Sequence, residues 1–320
     1  MARVEGTGAA NLSLAKRLLI FAKERFEPIS HSLMIGVFVA FHLQLAMGSQ
    51  LQVSPIGMTL LFIGAAAFFF KLRAYDEIKD YDVDVKLKPH RPLARGLVSH
   101  QDLYRVIAGC IVIELASFSF FGKAALASMA VSILYSLLMY KEFFIGPYLR
   151  PHLTTYAITH TIVGGFLALS IMCAVQGTYI WEADQKSMQI MLAGWCLFNI
   201  FEFGRKTYCT DEERPEIESY SKIFGRFGAV ALVVVMGIIS AVLLGTVGPL
   251  RAMILADGGA SKFATLAILV GGPLMTAVLG TAYAVTDAKS LGAAYRAASS
   301  IVIVFVYGGL FAVLFSARGG

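Results

Sequence analysis

Charged side chains are scarce in this 320-residue sequence, where Asp, Glu, Lys and Arg make up 15% and hydrophobic residues 57%. With a mean hydropathy of +0.70, that balance excludes a soluble domain of this length and leaves an integral membrane protein. Cysteine is rarer still. Cys110, Cys173, Cys196 and Cys209 are scattered, three of them inside apolar runs, without metal-ligand spacing, and read as small core residues. The six histidines share no spacing: His31, His42, His152 and His160 fall singly in or beside apolar runs, and only His90 has charged company. The first 30 residues lack the apolar core and cleavage site of a signal peptide, so the first spanning helix is expected to act as the targeting signal. No basic stripe interleaved with aromatics is present, which argues against nucleic acid as a partner despite a net charge of +6.

Long apolar runs are what the chain has instead. Those long enough to cross a bilayer cover about 31–48, 55–75, 103–121, 124–140, 153–175, 187–204, 224–247, 262–286 and 297–316, and predict a single all-α, multi-pass membrane domain of nine transmembrane helices. With the N-terminus cytoplasmic, the loops and helix ends on that side carry all 27 Lys and Arg residues except Lys123, Lys186, Arg251, Lys262 and Arg318. This orientation puts the C-terminus outside and gathers the loops 76–95, 141–150, 205–226 and 287–296 on the cytoplasmic face, where the site is expected. In a prokaryote the host membrane would be the inner cell membrane. Within the cytoplasmic residues 1–30, Leu14, Leu18, Leu19 and Phe26 with Lys16, Lys23 and Arg25 predict an amphipathic segment on the membrane surface.

The densest chemistry runs from Arg73 to Arg95, where an apolar helix passes into a cluster of acids and then one of bases. At about 100° per residue, Arg73, Glu77, Asp80 and Asp84 share a narrow helical stripe, with Asp76 on its flank and Asp82 pointing away. Stacked carboxylates at a membrane boundary repel one another unless a multivalent cation sits among them. Mg²⁺ is the natural guest, and carboxylate-bound Mg²⁺ commonly carries phosphate. Pro89 and Pro92 end the helix and hold Arg91 and Arg95 in a turn facing the acids, where guanidinium groups can take diphosphate oxygens bidentately. A second charged helix end comprises Asn199, Glu202, Arg205 and Lys206, followed by Asp211, Glu212, Glu213, Glu216 and Glu218. The i, i+3, i+7 spacing of Asn199, Glu202 and Lys206 puts them on one face, so two helix ends could bracket one ligand.

These residues carry a family resemblance. Asp76, Glu77, Asp80 and Asp84 in DEIKDYDVD resemble the first aspartate-rich motif of the UbiA superfamily of intramembrane prenyltransferases, and RPLARG resembles its basic turn. Tyr135 and Lys141 resemble the family's Tyr and Lys pair, whose lysine approaches the diphosphate. The resemblance implies a helical bundle around a central cavity, bound Mg²⁺, a prenyl diphosphate donor and a lipophilic acceptor, with some members cyclising the prenyl chain without an acceptor. The sequence departs from the family in its second motif. No Asp-x-x-x-Asp follows the sixth helix, and because Pro215 carries the later acids into the loop, Asp211 and Glu212 are the favoured ligands of a second Mg²⁺.

The leading expectation is a Mg²⁺-dependent transferase that moves an isoprenyl group to an aromatic or other lipophilic acceptor. Asp76, Glu77, Asp80 and Asp84 would hold one metal, acids among Asp211 to Glu216 a second, and Arg73, Arg91, Lys141, Arg205 and Lys206 the diphosphate. A membrane terpene cyclase is the alternative within the family. A transporter is a remote one, because transport calls for ionisable residues near the bilayer midplane and these lie at helix ends.

Overall fold

Helix starts are fixed by capping side chains. Ser13, Ser54, Ser99, Asp184 and Ser219 each accept a hydrogen bond from the backbone N–H three residues on, and Asp102 returns the bond to Ser99 in a capping box. The computed structural model describes residues 12–47 and 53–319, with side chains to 317. The start of the expected amphipathic region, Gly48 and the Arg318 side chain lie outside the described residues. The helices are α1 (Leu14–Phe26), α2 (Pro28–Ala46), α3 (Pro55–Lys79), α4 (Tyr81–Leu87), α5 (His100–Ser119), α6 (Lys123–Tyr140) and α7 (Gly146–Leu149). They continue as α8 (Leu153–Gln176), α9 (Gln185–Arg205), α10 (Tyr220–Gly245), α11 (Gly248–Leu255), α12 (Ala260–Thr286) and α13 (Lys289–Gly319).

Among the described residues, seven helices are long and apolar enough to cross a membrane: α2, α3, α6, α8, α10, α12 and α13. Two more, α5 and α9, have spanning length but are more polar, with Asp102, Arg105 and Glu114 on one and Lys186, Glu202 and Arg205 on the other. Neighbour packs on neighbour in the order α2, α3, α5, α6, α8, α9, α10, α12, α13 and back to α2, so the bundle closes on itself. Where α8 meets α9, a Cβ at Gly165 would come within 2.9 Å of the Met191 side chain, so the missing side chain sets the helix separation. Inside the bundle, Lys71 Nζ donates to Glu114 Oε2 at 2.5 Å between α3 and α5, both side chains fully buried.

Phe38, Phe69 and Phe198 meet between α2, α3 and α9 with ring centroids 5.8–6.1 Å apart, and the Phe69 and Phe198 rings are only part-buried there. A narrow apolar crevice with room for little more than one water lies between α9, α10, α12 and α13, lined by Leu197, Ile200, Ser240, Leu269 and Pro273. The segment expected to be amphipathic forms α1. Phe21 is fully buried and, with Phe26, packs edge-on against Phe70 of α3, which docks α1 on the bundle.

Candidate active site

The acid stripe is built on two helices. Asp80, with φ −85° and ψ −1°, closes α3 and opens α4, so Asp76 and Asp84 stand on opposite sides of a break that the sequence pattern had carried straight through. Arg91 returns from the 88–98 turn and spans the break, with Nη1 3.5 Å from Asp80 and in direct contact with Asp84 Oδ2. Asp84 is buried. Its other oxygen, Oδ1, has no hydrogen-bond donor, and Lys88 Nζ stands 3.9 Å away. Asp76 and Asp80 are half exposed, with Arg73 Nη1 3.5 Å from Asp76. Asp82 is exposed and takes no part in the Arg91 cluster.

Glu77 is committed elsewhere. It is 1% exposed, and its oxygens accept from Arg25 Nε at 2.7 Å and from the Leu93 backbone N–H at 3.1 Å, which turns it towards α1 and away from its presumed fellow ligands. Arg95 pairs bidentately with Glu24 at 2.8 and 2.9 Å, so it faces α1 as well.

The end of α9 meets this cluster. Glu202 accepts from Arg205 Nε at 2.6 Å and from Lys206 Nζ at 2.8 Å, while Arg205 lies within electrostatic reach of both Arg73 and Asp76. Asn199 is buried behind it: its Nδ2 donates to Trp195 O at 2.8 Å and its Oδ1 accepts from Thr161 at 3.0 Å, a link between α8 and α9.

Three residues that sequence reasoning missed complete the arrangement. Lys79 Nζ donates to Tyr156 OH at 2.6 Å and lies 3.4 Å from His160 Nε2, while the Tyr156 and His160 rings stack with centroids 3.8 Å apart. His160 Nδ1 donates to Tyr156 O, which leaves Nε2 as the acceptor facing Lys79. The available signals were Lys79 one turn beyond Asp76 and the i, i+4 spacing of Tyr156 and His160. Glu142, buried and bonded to Arg150 at 2.9 Å, acts on Lys79 through its charge. It is placed by a run of three left-handed residues, Glu142, Phe143 and Phe144 (φ 50°, 53° and 59°), that carries no glycine to announce it.

This loop also explains Lys141 and Tyr135. The Lys141 side chain is exposed and lies 5.0 Å over the Tyr140 ring, so it is not gathered with the acids. Tyr135 donates to Thr159 O at 2.8 Å and stacks on Phe166 at 4.4 Å.

The acids after α9 are engaged with the C-terminal helices. Glu212 binds Arg296 of α13 through two 2.8 Å bonds, which hold its carboxyl below the usual range, and exposed Asp211 faces Lys289 at 3.5 Å. Glu213 accepts from Ser219 and Ser221, and Glu216 is exposed. None of these contacts joins the segment to the 76–84 acids.

Residues 33–278 match the model of the UbiA prenyltransferase family. The chain belongs to that family. Among solved structures it is similar to a UbiA homologue from Aeropyrum pernix K1, with a TM-score of 0.63 and 18% identity over 89% of this chain and 98% of that one. It is also similar to a structure described as digeranylgeranylglyceryl phosphate synthase, with a TM-score of 0.64 and 13% identity over 94% and 99% of the two chains. A UbiA homologue from Archaeoglobus fulgidus gives a TM-score of 0.60 and 12% identity over 92% and 99%. At these identities the likeness is one of fold. A comparison with curated proteins found no match. Family membership and the seven candidate spans make this UbiA protein a multi-pass membrane protein.

Among the described residues, no three His, Cys, Asp or Glu side chains are gathered as a preformed metal cage. Mg²⁺ does not require one, since it usually takes one or two carboxylates and completes its shell with water and substrate phosphate. The buried, donor-free Oδ1 of Asp84 and the half-exposed Asp76 and Asp80 are the oxygen donors suited to it. The chemistry of the site therefore fits the ion.

Proposed function

We propose that this UbiA protein is a Mg²⁺-dependent prenyltransferase, moving an isoprenyl group from a prenyl diphosphate to a lipophilic acceptor. The observation that carries this reading is the approach of two charged helix ends: Asp76, Asp80 and Asp84 with Arg73, Lys79 and Arg91, and Glu202, Arg205 and Lys206 of the α9 end, whose Arg205 is within electrostatic reach of Arg73 and Asp76. Family members use prenyl diphosphates and lipophilic acceptors, and one structural neighbour is described as a synthase of a digeranylgeranyl product. Asp76, Asp80 and Asp84 would hold Mg²⁺, which supplies charge neutralisation to the departing diphosphate. Arg73, Arg205 and Lys206 bind the diphosphate oxygens, and the apolar helices above keep water from the allylic cation. Lys79, held by Tyr156 and His160, adds a further cation for the diphosphate.

In this reading α5 and α9 complete nine spans and the N-terminus is cytoplasmic, so that the site opens on the cytoplasmic face. The test is to supply the purified protein with Mg²⁺ and prenyl diphosphates of increasing length, with and without aromatic acceptors, and to follow diphosphate release and products. Acceptor-dependent prenylated product is expected. Cyclised product without acceptor would replace transfer by cyclisation, and no diphosphate release from any donor would overturn the reading.

A further inference from the structure

Glu77 sits in the middle of an acid motif yet spends both of its oxygens on the protein. The partners are informative: Arg25 belongs to the N-terminal helix, and Leu93 is two residues beyond Arg91 in the 88–98 turn. That turn is closed by its own backbone bonds, Arg91 N to Lys88 O at 3.0 Å, Arg95 N to Arg91 O at 2.9 Å and Leu97 N to Pro92 O at 2.8 Å, so it behaves as one body. Helix α1 grips the same body at two more points, through Glu24 to Arg95 and through Arg17, which also bonds Asp102 at 2.8 Å and reaches Leu97 O at 3.5 Å. What the turn presents on its other side is Arg91, set between Asp80 and Asp84.

We propose that Glu77 and Arg25 are positioning residues: the pair locks the 88–98 turn to α1 and thereby sets where the Arg91 guanidinium stands in the anion site. A buried carboxylate whose two oxygens accept from an arginine and a backbone amide loses those bonds if it turns to a metal, and leaves Arg25 unpaired. This separates it from Asp84, which keeps a buried oxygen without a donor. The proposal rests on the site reading above only for the identity of the anion.

The test has two arms. In the first, hydrogen–deuterium exchange is followed over residues 88–98 of the ligand-free protein. Arg25→Gln and Glu77→Gln are expected to accelerate exchange there several-fold while leaving α8 and α12 unchanged, and Arg25→Lys to restore protection. Unchanged exchange in both Gln variants overturns the proposal. In the second arm, Mg²⁺ with inorganic diphosphate is titrated into each variant. Arg25→Gln and Glu77→Gln should each weaken binding about tenfold, the scale of one charge-assisted contact. The double variant should be no worse than either single one, and Arg25→Gln should have no further effect once Arg91 is Ala. Additive losses, or a raised Mg²⁺ requirement in Glu77→Gln alone, would make Glu77 a metal ligand and sink the idea. If wild-type protein does not bind diphosphate, the site reading fails while the exchange arm still decides this one. Arg25 is part-exposed on a peripheral helix, so its Gln variant remains informative where a Glu77 substitution prevents folding.

Discussion

Replacing Glu114 with Leu should destabilise the protein by about 3–5 kcal/mol, and replacing Lys71 with Met by a similar amount, whereas the double variant should lie within about 1 kcal/mol of wild type. Both partners are fully buried and share one 2.5 Å bond, with the lysine ammonium a further 4.5 Å from the Phe68 ring. Removing either leaves a charge with no adequate partner. Unfolding of the four proteins by SDS in mixed micelles at pH 7 measures this. Single variants within 1 kcal/mol of wild type, or a double variant as unstable as the singles, would refute the reasoning.

Four further outcomes are expected. Asp80→Ala and Asp84→Ala should each abolish Mg²⁺-dependent diphosphate release while the folded protein is retained, with exposed Asp82→Ala near wild type; equal losses at all three would dissolve the distinction. Lys79→Ala should raise the KM for donor at least tenfold and Lys141→Ala by less than twofold, since only Lys79 is held among the acids, and initial-rate kinetics check it. Arg296→Met should cost about 1 kcal/mol at pH 7, because Glu212 is held below the usual carboxyl range by that guanidinium; the contribution is present above a reference value near 4.3 and lost as pH falls through the folded value, so melting curves of variant and wild type should converge in acid. Phe144→Gly should raise stability by about 1 kcal/mol, since Phe144 is 77% exposed and holds a left-handed conformation that glycine adopts freely, and a thermal melt showing a loss would mean its ring is needed.

Much of the architecture is legible from hydropathy, because each apolar run has one stable fate in a bilayer. The long helices fall within a few residues of the runs, and the capping Ser and Asp residues mark where five helices begin. The acid and base clusters at the ends of α3 and α9 are legible too, since charge at the end of an apolar run has nowhere else to go. Partner choice is not. Glu77 belongs to the stripe by spacing, but Arg25 lies 52 positions away and nothing local announces it. Lys141 and Lys79 exchange places in the reading because a left-handed run at 142–144 redirects the loop without a glycine. Asp211 and Glu212 look free until α13 brings Lys289 and Arg296 to them. The break at Asp80 is hidden for a simpler reason: the stretch from Asp76 to Val85 contains neither Gly nor Pro.

That break changes what a bound substrate would ask of the protein. Asp80 is the joint between a long helix packed in the bundle and a seven-residue one, so rotation at this residue alters the Asp76–Asp84 separation. With the following turn held to α3 through Glu77 and to α1 through Arg95, adjustment to an anion is confined to the short helix itself. The membrane-spanning walls can stay still. Grip on the polar head and selection of the apolar tail become mechanically separate, so variants on the lipid side should shift chain-length preference without loosening the hold on diphosphate.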